Sequence, residues 1–331
     1  MKRLNFSFLM ALAVLIASCE KNPTVTGEDT GNVSVLLKVS VPSAETKAAS
    51  AAGESYIDNI KIFVFRKGGA LEYYDSGSSL DVSFTCTTGE KDIYVLANAP
   101  DISEVASADD LKGRISDLMD NSTGRFVMAG SLENFDIGTS GEIDIPVSRL
   151  VARIGIAKIV NDFRIEQYRN ADFRIESIYL VNVSGDRRYL SSVSSGKWYN
   201  WRGTADEDNP MLHSGRIDAA LKAGVPYTDA HCFYCYPNAS KVDSSADDAS
   251  ERYTRLVVET VLDGRTYYYP VSVPDIRSNC RYEITELVIT RLGSSSPDEP
   301  VSSYDASFKI TVDDWSEGAT LTPVIEFENR Y

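Results

Sequence analysis

Residues 32–50 read NVSVLLKVSVPSAETKAAS, a regular strand pattern followed by a small, polar loop. Five apolar residues occupy every second position of this stretch: Val33, Val35, Leu37, Val39 and Val41. Side chains of a strand alternate between its two faces, so this period of two predicts a strand with one buried face. The loop that follows holds a single basic residue, Lys47. The sequence therefore joins a core-quality strand to the rest of the chain through a segment that a trypsin-like protease could open.

The composition is that of an acidic globular protein. A chain of 331 residues with 43% hydrophobic residues can bury the cores of about two domains. Its formal charge is −15 and its pI is about 4.7. This acidity, without any cluster of Lys or Arg, argues against nucleic-acid binding. The net negative charge implies a soluble surface that repels other copies of the chain.

The N-terminus has the pattern of an export signal. Residues 1–3 are basic at two positions, and residues 8–16 form an apolar run too short for a permanent membrane span. The run ends in Ile16-Ala17-Ser18-Cys19, which resembles the bacterial lipobox. We expect cleavage between Ser18 and Cys19, and lipid on Cys19 that holds the chain at a membrane. The alternative is an ordinary secretory signal in which Cys19 has no role.

The rest of the chain is predicted to be mostly strands. Short β-branched or aromatic runs alternate with Gly, Ser and Asp, as in an all-β sandwich. These runs cover residues 56–66, 80–86, 91–97, 125–129, 141–160, 173–183, 253–262, 265–273, 281–291 and 308–312. Leu111, Ile115, Leu118 and Met119 have helical spacing, with Ser107 as a cap. Asp263-Gly264 predicts a tight type I′ hairpin turn.

The end of the chain repeats the pattern of its beginning. In residues 319–331 (ATLTPVIEFENRY), Leu321, Pro323, Ile325 and Phe327 alternate with more polar positions. This predicts a second amphipathic strand on a connector. It could be an edge strand of its own domain or a strand given to another molecule, and Pro323 suits both because proline cannot donate within a central ladder.

Two such strands make head-to-tail assembly feasible. A sandwich that loses a strand exposes a hydrophobic groove and two unpaired edges. A strand from a neighbouring molecule can fill that groove, supplying ladder hydrogen bonds and alternate side chains. Because the donor and the groove lie at different places on each copy, the contacts do not close and a filament forms.

Several short motifs carry a resemblance that spans nearly the whole chain. They are the lipobox at Cys19, SVLLK at 34–38 with the basic loop after it, RFVMAG at 125–130, RLVARI at 149–154 and TVDDW at 311–315. With these motifs the chain resembles the Bacteroidales fimbrillins, the FimA-like subunits of type V pili. The resemblance implies two transthyretin-like β-sandwich domains in tandem, with a short helix in the first. It also implies a lipoprotein precursor that is cut by a trypsin-like protease and then polymerises by donor-strand exchange.

Applied to this chain, the resemblance divides it into five parts. They are a signal peptide (1–18), a leader with the removable first strand (19–47), two β-sandwich domains (48–164 and 165–315) and a donor-strand tail (316–331). The expected cut lies between Lys47 and Ala48. The removable strand presents Val33, Val35, Leu37, Val39 and Val41, and the donor strand presents Leu321, Ile325 and Phe327.

The expected partners follow from the same resemblance. They are other copies of the chain and related fimbrial subunits, the maturation protease, and the outer membrane through Cys19 before processing. A fimbrium at the cell surface is the expected destination. A candidate cut site together with a tail favours a shaft subunit over an anchor or a tip. The rival class is a surface lipoprotein that does not polymerise and binds glycans through Trp198 and Trp201; packing of these rings onto the sandwich is the simpler interpretation.

The sequence argues against an enzyme. His213 and His231 are the only histidines, and no nucleophile elbow, phosphate loop, HExxH or EF-hand motif is present. We expect no cofactor and no metal, and we interpret the acidic runs at 206–208 and 247–248 as solvated loops rather than calcium sites. Cys86, Cys232, Cys235 and Cys280 could be structural thiols, which we favour, or a disulfide, or a redox or zinc site at the CxxC of residues 232–235.

Overall fold

The computed structural model describes residues 31–42, 53–102, 104–244, 246–247, 250–302 and 305–315, and the backbone of 322–327. The predictions at Ser18, Cys19, Lys47, Ala48 and Leu321 lie outside the described residues. In the part of the chain that is described, no helix is long and apolar enough to cross a membrane.

Among the described residues, the first part of the chain forms nine strands and one α-helix. These are β1 (Asn32–Ser40), β2 (Ile60–Arg66), β3 (Leu71–Gly77), β4 (Asp81–Thr87), β5 (Gly89–Ala97), α1 (Ala108–Gly113), β6 (Ile115–Asp117), β7 (Met128–Ile137), β8 (Gly141–Pro146) and β9 (Ser148–Arg149). They build two sheets and a short strand, β6, that pairs elsewhere. The strand order is β4-β1-β8 in the smaller sheet and β3-β2-β5-β7-β9 in the larger one.

The second part is also built from strands. These are β10 (Ala152–Ile156), β11 (Ile159–Asn161), α2 (Glu166–Arg169), β12 (Phe173–Val181), β13 (Val183–Ser184), β14 (Asp186–Arg188), β15 (Trp198–Tyr199), β16 (Ala219–Ala220), β17 (His231–Cys235), β18 (Thr254–Leu262), β19 (Arg265–Val273), β20 (Cys280–Ile289), β21 (Ala306–Asp314) and β22 (Thr322–Phe327). One main sheet has the order β17-β10-β20-β21-β22, with β11 added beside β20, and the other has the order β16-β12-β18-β19.

In each part the apolar faces of the strands are buried in a core. The first part shows how the two sheets meet: the rings of Tyr73 on β3 and Phe84 on β4 stack with centroids 4.9 Å apart. The predicted hairpin turn is confirmed, since Asp263 and Gly264 both have positive φ, at 47° and 78°. The expectation of an all-β chain built as tandem β-sandwiches, with a short helix in the first, is confirmed.

The predicted helix is shorter than the sequence pattern suggested. Its cap is confirmed, because the Ser107 hydroxyl accepts a hydrogen bond from the Asp110 N–H at 3.1 Å. The helix ends at Gly113, and its continuation through Ile115 and Met119 was wrong. Ile115 instead begins β6, which pairs with β14, and the side chains of Ile115 and Met119 are exposed. Glycine is a poor helix former, and the ladder with β14 satisfies the backbone groups that follow it.

The predicted strand at 141–160 is four strands that belong to two different pairs of sheets. β8 and β9 lie with the first part of the chain, whereas β10 and β11 both pair with β20. The chain therefore crosses from one pair of sheets to the other between β9 and β10, before the predicted domain boundary at 164/165. The predicted boundary falls immediately before α2, whose residues are not buried, and not at the change of sheet. The boundaries at 47/48 and 315/316 remain predictions.

Candidate functional site

Strand β1, which the sequence predicts to be removable, is the middle strand of its sheet. β1 pairs antiparallel with β4, from Asn32 opposite Thr87 to Lys38 opposite Asp81. On its other side it pairs in parallel with β8, from Val35 beside Gly141 to Ser40 beside Pro146. We call the space that β1 occupies between these two strands the β1 slot. A strand in this position cannot leave without opening two ladders at once.

The side chains of β1 alternate as the sequence predicts, although only the central three are fully buried. Val35, Leu37 and Val39 are 2%, 0% and 6% exposed, and they belong to the main core. Val33 and Val41 are half-buried at its margins. At roughly 1.5–3 kcal/mol for each fully buried aliphatic side chain, the three contribute about 5–9 kcal/mol before entropy costs. Apolar burial thus holds β1 in the slot.

Charge contributes much less to the retention of β1. The Lys38 ammonium lies 2.5 Å from Oε1 of Glu142 on β8, and both side chains are largely exposed. The hydrogen bond from Lys38 to Glu142 raises the pKa of that ammonium. Exposed pairs of this kind contribute little to stability, because water and salt screen them. The occupant of the slot is therefore selected by its apolar face.

The predicted donor strand lies at the edge of its own sheet. β22 pairs antiparallel with β21, placing Ile325 opposite Ile310 and Phe327 opposite Phe308. This is the alternative that the sequence left open for a single chain, and Pro323 occupies such an edge without breaking a central ladder. A donor role for Ile325 and Phe327 requires β22 to leave this edge, and that role remains a prediction.

One buried carboxylate, that of Glu54, connects the segment after the predicted cut site with the end of the main body at Trp315. Glu54, which is 2% exposed, accepts hydrogen bonds from the Tyr234 hydroxyl at 2.9 Å and from Nε1 of Trp315 at 3.1 Å. The Arg149 guanidinium lies over the Trp315 ring, 4.5 Å from its centroid, and donates from Nε to the Glu54 carbonyl at 2.9 Å. Arg153 approaches the Glu54 carboxylate at 3.7 Å. We call these five residues the Glu54 knot.

The Glu54 knot lies between the two proposed events. Glu54 follows the predicted cut site at Lys47, and Trp315 is the last described residue before the connector to β22. Sequence reasoning missed this contact. Its weak signal was a tryptophan at the end of a strand, next to the segment predicted to be a tail.

Other candidate sites of the sequence analysis have ordinary structural surroundings. The rings of Trp198 and Trp201 are half-buried with centroids 4.7 Å apart, and the Arg252 guanidinium lies 5.2 Å from the Trp201 centroid. This arrangement favours loop packing over a glycan platform.

The cysteines also have structural surroundings. Cys86, Cys232, Cys235 and Cys280 are all free thiols. Burial raises the pKa of the Cys235 thiol to about 12, which makes it a structural rather than a reactive cysteine. Within the described ranges, no group of His, Cys, Asp and Glu is arranged to hold a metal ion.

A family model agrees with the part of the chain that contains the β1 slot. The model of the major fimbrial subunit protein FimA matches residues 31–143, from β1 into β8. The major fimbrium subunit FimC of Porphyromonas gingivalis is 25% identical over 323 aligned residues, which cover 89% of this chain and 67% of that protein.

Solved structures support the fold. A fimbrilin, FimA, from Porphyromonas gingivalis W83 superposes with a TM-score of 0.64 at 18% identity, over 88% of this chain and 99% of the other. The tip fimbrial protein Mfa3 of Porphyromonas gingivalis, in a form with a C-terminal truncation, gives a TM-score of 0.54 at 15% identity, over 86% and 100%. The family to which these matches point is one of structural subunits and not of enzymes. The match to the FimA model over residues 31–143, the relatedness to FimC and the shared fold together support a Bacteroidales FimA-like fimbrillin.

Proposed function

We propose that this chain is a structural subunit of a type V fimbrium and that it polymerises by donor-strand exchange in support of adhesion at the cell surface. Its precursor is exported, lipidated on Cys19 and held at the outer membrane. A trypsin-like protease then hydrolyses the bond between Lys47 and Ala48, and β1 leaves with the leader. The tail of a neighbouring copy or a related subunit fills the β1 slot. The observation that carries this proposal is the central position of β1 in its sheet, with its apolar face in the core.

Cleavage gives the exchange a direction. Before it, β1 is part of the same chain as the slot, and its replacement by an equivalent strand has little driving force. After hydrolysis, β1 is a separate peptide that dilutes away, while the tail of a neighbour stays attached to the growing fibre. Three buried side chains and two ladders then favour whichever strand fills the slot next.

We assign the chain to the shaft of the fimbrium. A shaft subunit must both accept and donate a strand, and this chain has a slot for the first and an amphipathic tail for the second. An anchor would keep β1 and its lipid, and a tip would need no tail. A surface lipoprotein that binds glycans without polymerising is the remaining alternative.

The intact mass and the N-terminal sequence of protein taken from the cell surface test the proposal. We expect ladders of high mass that resist mild denaturation and release a chain beginning at Ala48. A lipidated chain beginning at Cys19 and built into fibres would make it an anchor. Monomers that retain β1 would overturn the proposal and leave a surface lipoprotein of another kind.

Paired substitutions in the tail separate donation from folding. Replacing the inward positions in I325S/F327S should abolish the ladders and leave the monomer folded, because these residues supply the apolar face that enters the slot. The matched control E326Q/E328Q changes the alternate positions of the same strand and should polymerise normally. Ladders that persist in I325S/F327S would exclude this tail as the donor.

A further inference from the structure

Departure of β1 creates a problem for the strand beside it. β4 lies at the edge of its sheet, and among the described residues β1 is its only strand partner. Once β1 has gone, β4 has no ladder that holds it to the body. A slot that must later receive a strand needs this wall to stay in place. The contacts that attach β4 to the larger sheet therefore decide whether this wall stays in place.

A buried carboxylate on the larger sheet accepts hydrogen bonds from the end of β4. Glu72 on β3 has a side chain that is 6% exposed. Its Oε1 accepts hydrogen bonds from both the N–H of Thr87, at 2.8 Å, and the Thr87 hydroxyl, at 2.7 Å. Thr87 is the residue of β4 that faces Asn32, where β1 begins. Glu72 therefore holds β4 through contacts that do not involve β1.

A buried lysine completes the contact from a second strand of the larger sheet. Lys91 on β5 has a side chain that is 3% exposed, and its Nζ lies 3.0 Å from Oε2 of Glu72. The same ammonium donates a hydrogen bond to the Thr87 hydroxyl at 2.9 Å. Arg66 adds a longer contact to Oε1, at 3.3 Å. Removing one partner of a buried pair costs far more than an exposed pair contributes, so Glu72 cannot be lost without consequence.

The charge state of Glu72 agrees with this geometry. Burial alone would raise its pKa, but the hydrogen bonds from Thr87, Lys91 and Arg66 hold that pKa at about 2. The carboxylate is thus ionised at any physiological pH. Charge-assisted hydrogen bonds of this kind are about twice as strong as neutral ones.

The opposite wall of the slot is attached by packing. Ile145 on β8 is fully buried. β7 approaches so closely that a Cβ added at Gly130 would lie 2.3 Å from the Pro146 carbonyl oxygen. β4 has its own apolar contact, the stack of Phe84 on Tyr73. The Glu72 contact lies at the Thr87 end of β4 and the Phe84 stack lies at its middle, and neither attachment involves β1.

We propose that Glu72, with Thr87 and Lys91, is a positioning clamp that keeps β4 in place as a wall of the β1 slot while the slot is empty. This inference rests on the proposed exchange of strands. The clamp has its largest effect on β4 in the interval between release of β1 and arrival of the next strand. In the intact precursor, β1 itself secures β4, and the clamp is partly redundant.

The test compares Glu72→Gln with the wild-type chain before and after cleavage. Glu286→Gln on β20, which breaks an exposed pair with Lys158 away from the slot, is the matched control. The probe is a fluorescent peptide of residues 319–331, added as β1 is removed from the full-length precursor by a trypsin-like protease. We expect Glu72→Gln to capture the peptide about tenfold to a hundredfold less well than the wild type and the control, as the loss of charge-assisted hydrogen bonds predicts.

Hydrogen exchange in residues 81–87 separates this role from a general loss of stability. We expect near-normal protection in the Glu72→Gln precursor and a loss of protection only after β1 has been removed. Peptide capture within twofold of the wild type, or equal protection of β4 in the two cleaved proteins, would overturn the clamp. A wild-type chain that captures no peptide would contradict strand exchange itself, and the exchange data on β4 would still decide the clamp. If the Glu72→Gln precursor does not fold, the Thr87→Val variant takes its place in the same measurements.

Discussion

The individual positions of β1 differ sharply in what they contribute. Leu37 is fully buried, whereas Leu36 next to it faces away from the core and is half-exposed. We predict that Leu37→Ala lowers the unfolding free energy of the precursor by about 2–4 kcal/mol, the usual cost of a cavity at a buried leucine. Leu36→Ala should cost less than about 1 kcal/mol. Urea denaturation of the two precursors measures the difference.

The same pair of variants carries a second expectation at the residue scale. Once β1 has been cut away, both substitutions leave with it, so the mature subunits should be indistinguishable in stability and in assembly. Leu37→Ala should also speed the release of β1, since less apolar surface has to be exposed. Equal effects of the two substitutions on the precursor would contradict the burial pattern of β1.

Glu72 predicts a pH dependence of stability. Its pKa is about 2 in the folded chain and near 4.5 when it is free of its contacts. A lowered pKa stabilises the folded state at pH values above the unfolded pKa, and this contribution is lost as the pH falls from 4.5 towards 2. We expect the wild-type precursor to lose roughly 1–2 kcal/mol more than Glu72→Gln between pH 5 and pH 3. Parallel stability profiles for the two proteins would show that Glu72 makes no such contribution.

Among the elements, those with strong local patterns were predicted well. β1 and the hairpin of β18 and β19 follow from alternation and from the Asp-Gly turn, and the structure confirms them. The extent of α1 was wrong, because the helical spacing continued past Gly113 into Ile115–Asp117, which pair as strand β6, and Leu118–Asp120, which form a short 3-10 helix. Here a contact that is distant in sequence overrode a local pattern.

The walls of the β1 slot could not be predicted from the sequence. β4 and β8 are far from β1 along the chain, and nothing in their own patterns says which strand lies between them. One signal of the clamp was visible: Lys91 shares its face of β5 with the core residues Ile93 and Val95. A lysine on a buried face requires a partner, but the sequence does not say that the partner is Glu72.

At the element scale, a free copy of β1 should compete with the tail for the slot. We predict that a peptide of residues 32–41 (NVSVLLKVSV) inhibits polymerisation of cleaved subunits in proportion to its concentration, because it supplies the native apolar face and both ladders. The control peptide carries serine in place of Val35, Leu37 and Val39 and should not inhibit. Light scattering during assembly measures the effect, and equal behaviour of the two peptides would mean that the slot is not the site of assembly.

Over the whole molecule, the segments next to the two proposed events are joined at one place. The Glu54 knot ties Glu54, which follows the predicted cut site at Lys47, to Trp315, which precedes the predicted tail. We therefore expect that cleavage on one side and movement of β22 on the other would leave the contacts of the knot in place. The paired strands β6 and β14 join the two parts of the chain a second time. We therefore expect each subunit of a fibre to be stiff.

Donor-strand exchange requires a neighbouring molecule to take over the β1 slot. An electron cryomicroscopy reconstruction of the native fibre, at a resolution that identifies side chains, tests it most directly. We predict that the strand between β4 and β8 has the side chains of residues 321–327 from the adjacent subunit, and that the chain surrounding the slot begins at Ala48. A strand between β4 and β8 with the side chains of Val35, Leu37 and Val39, continuous with the same chain, would contradict it.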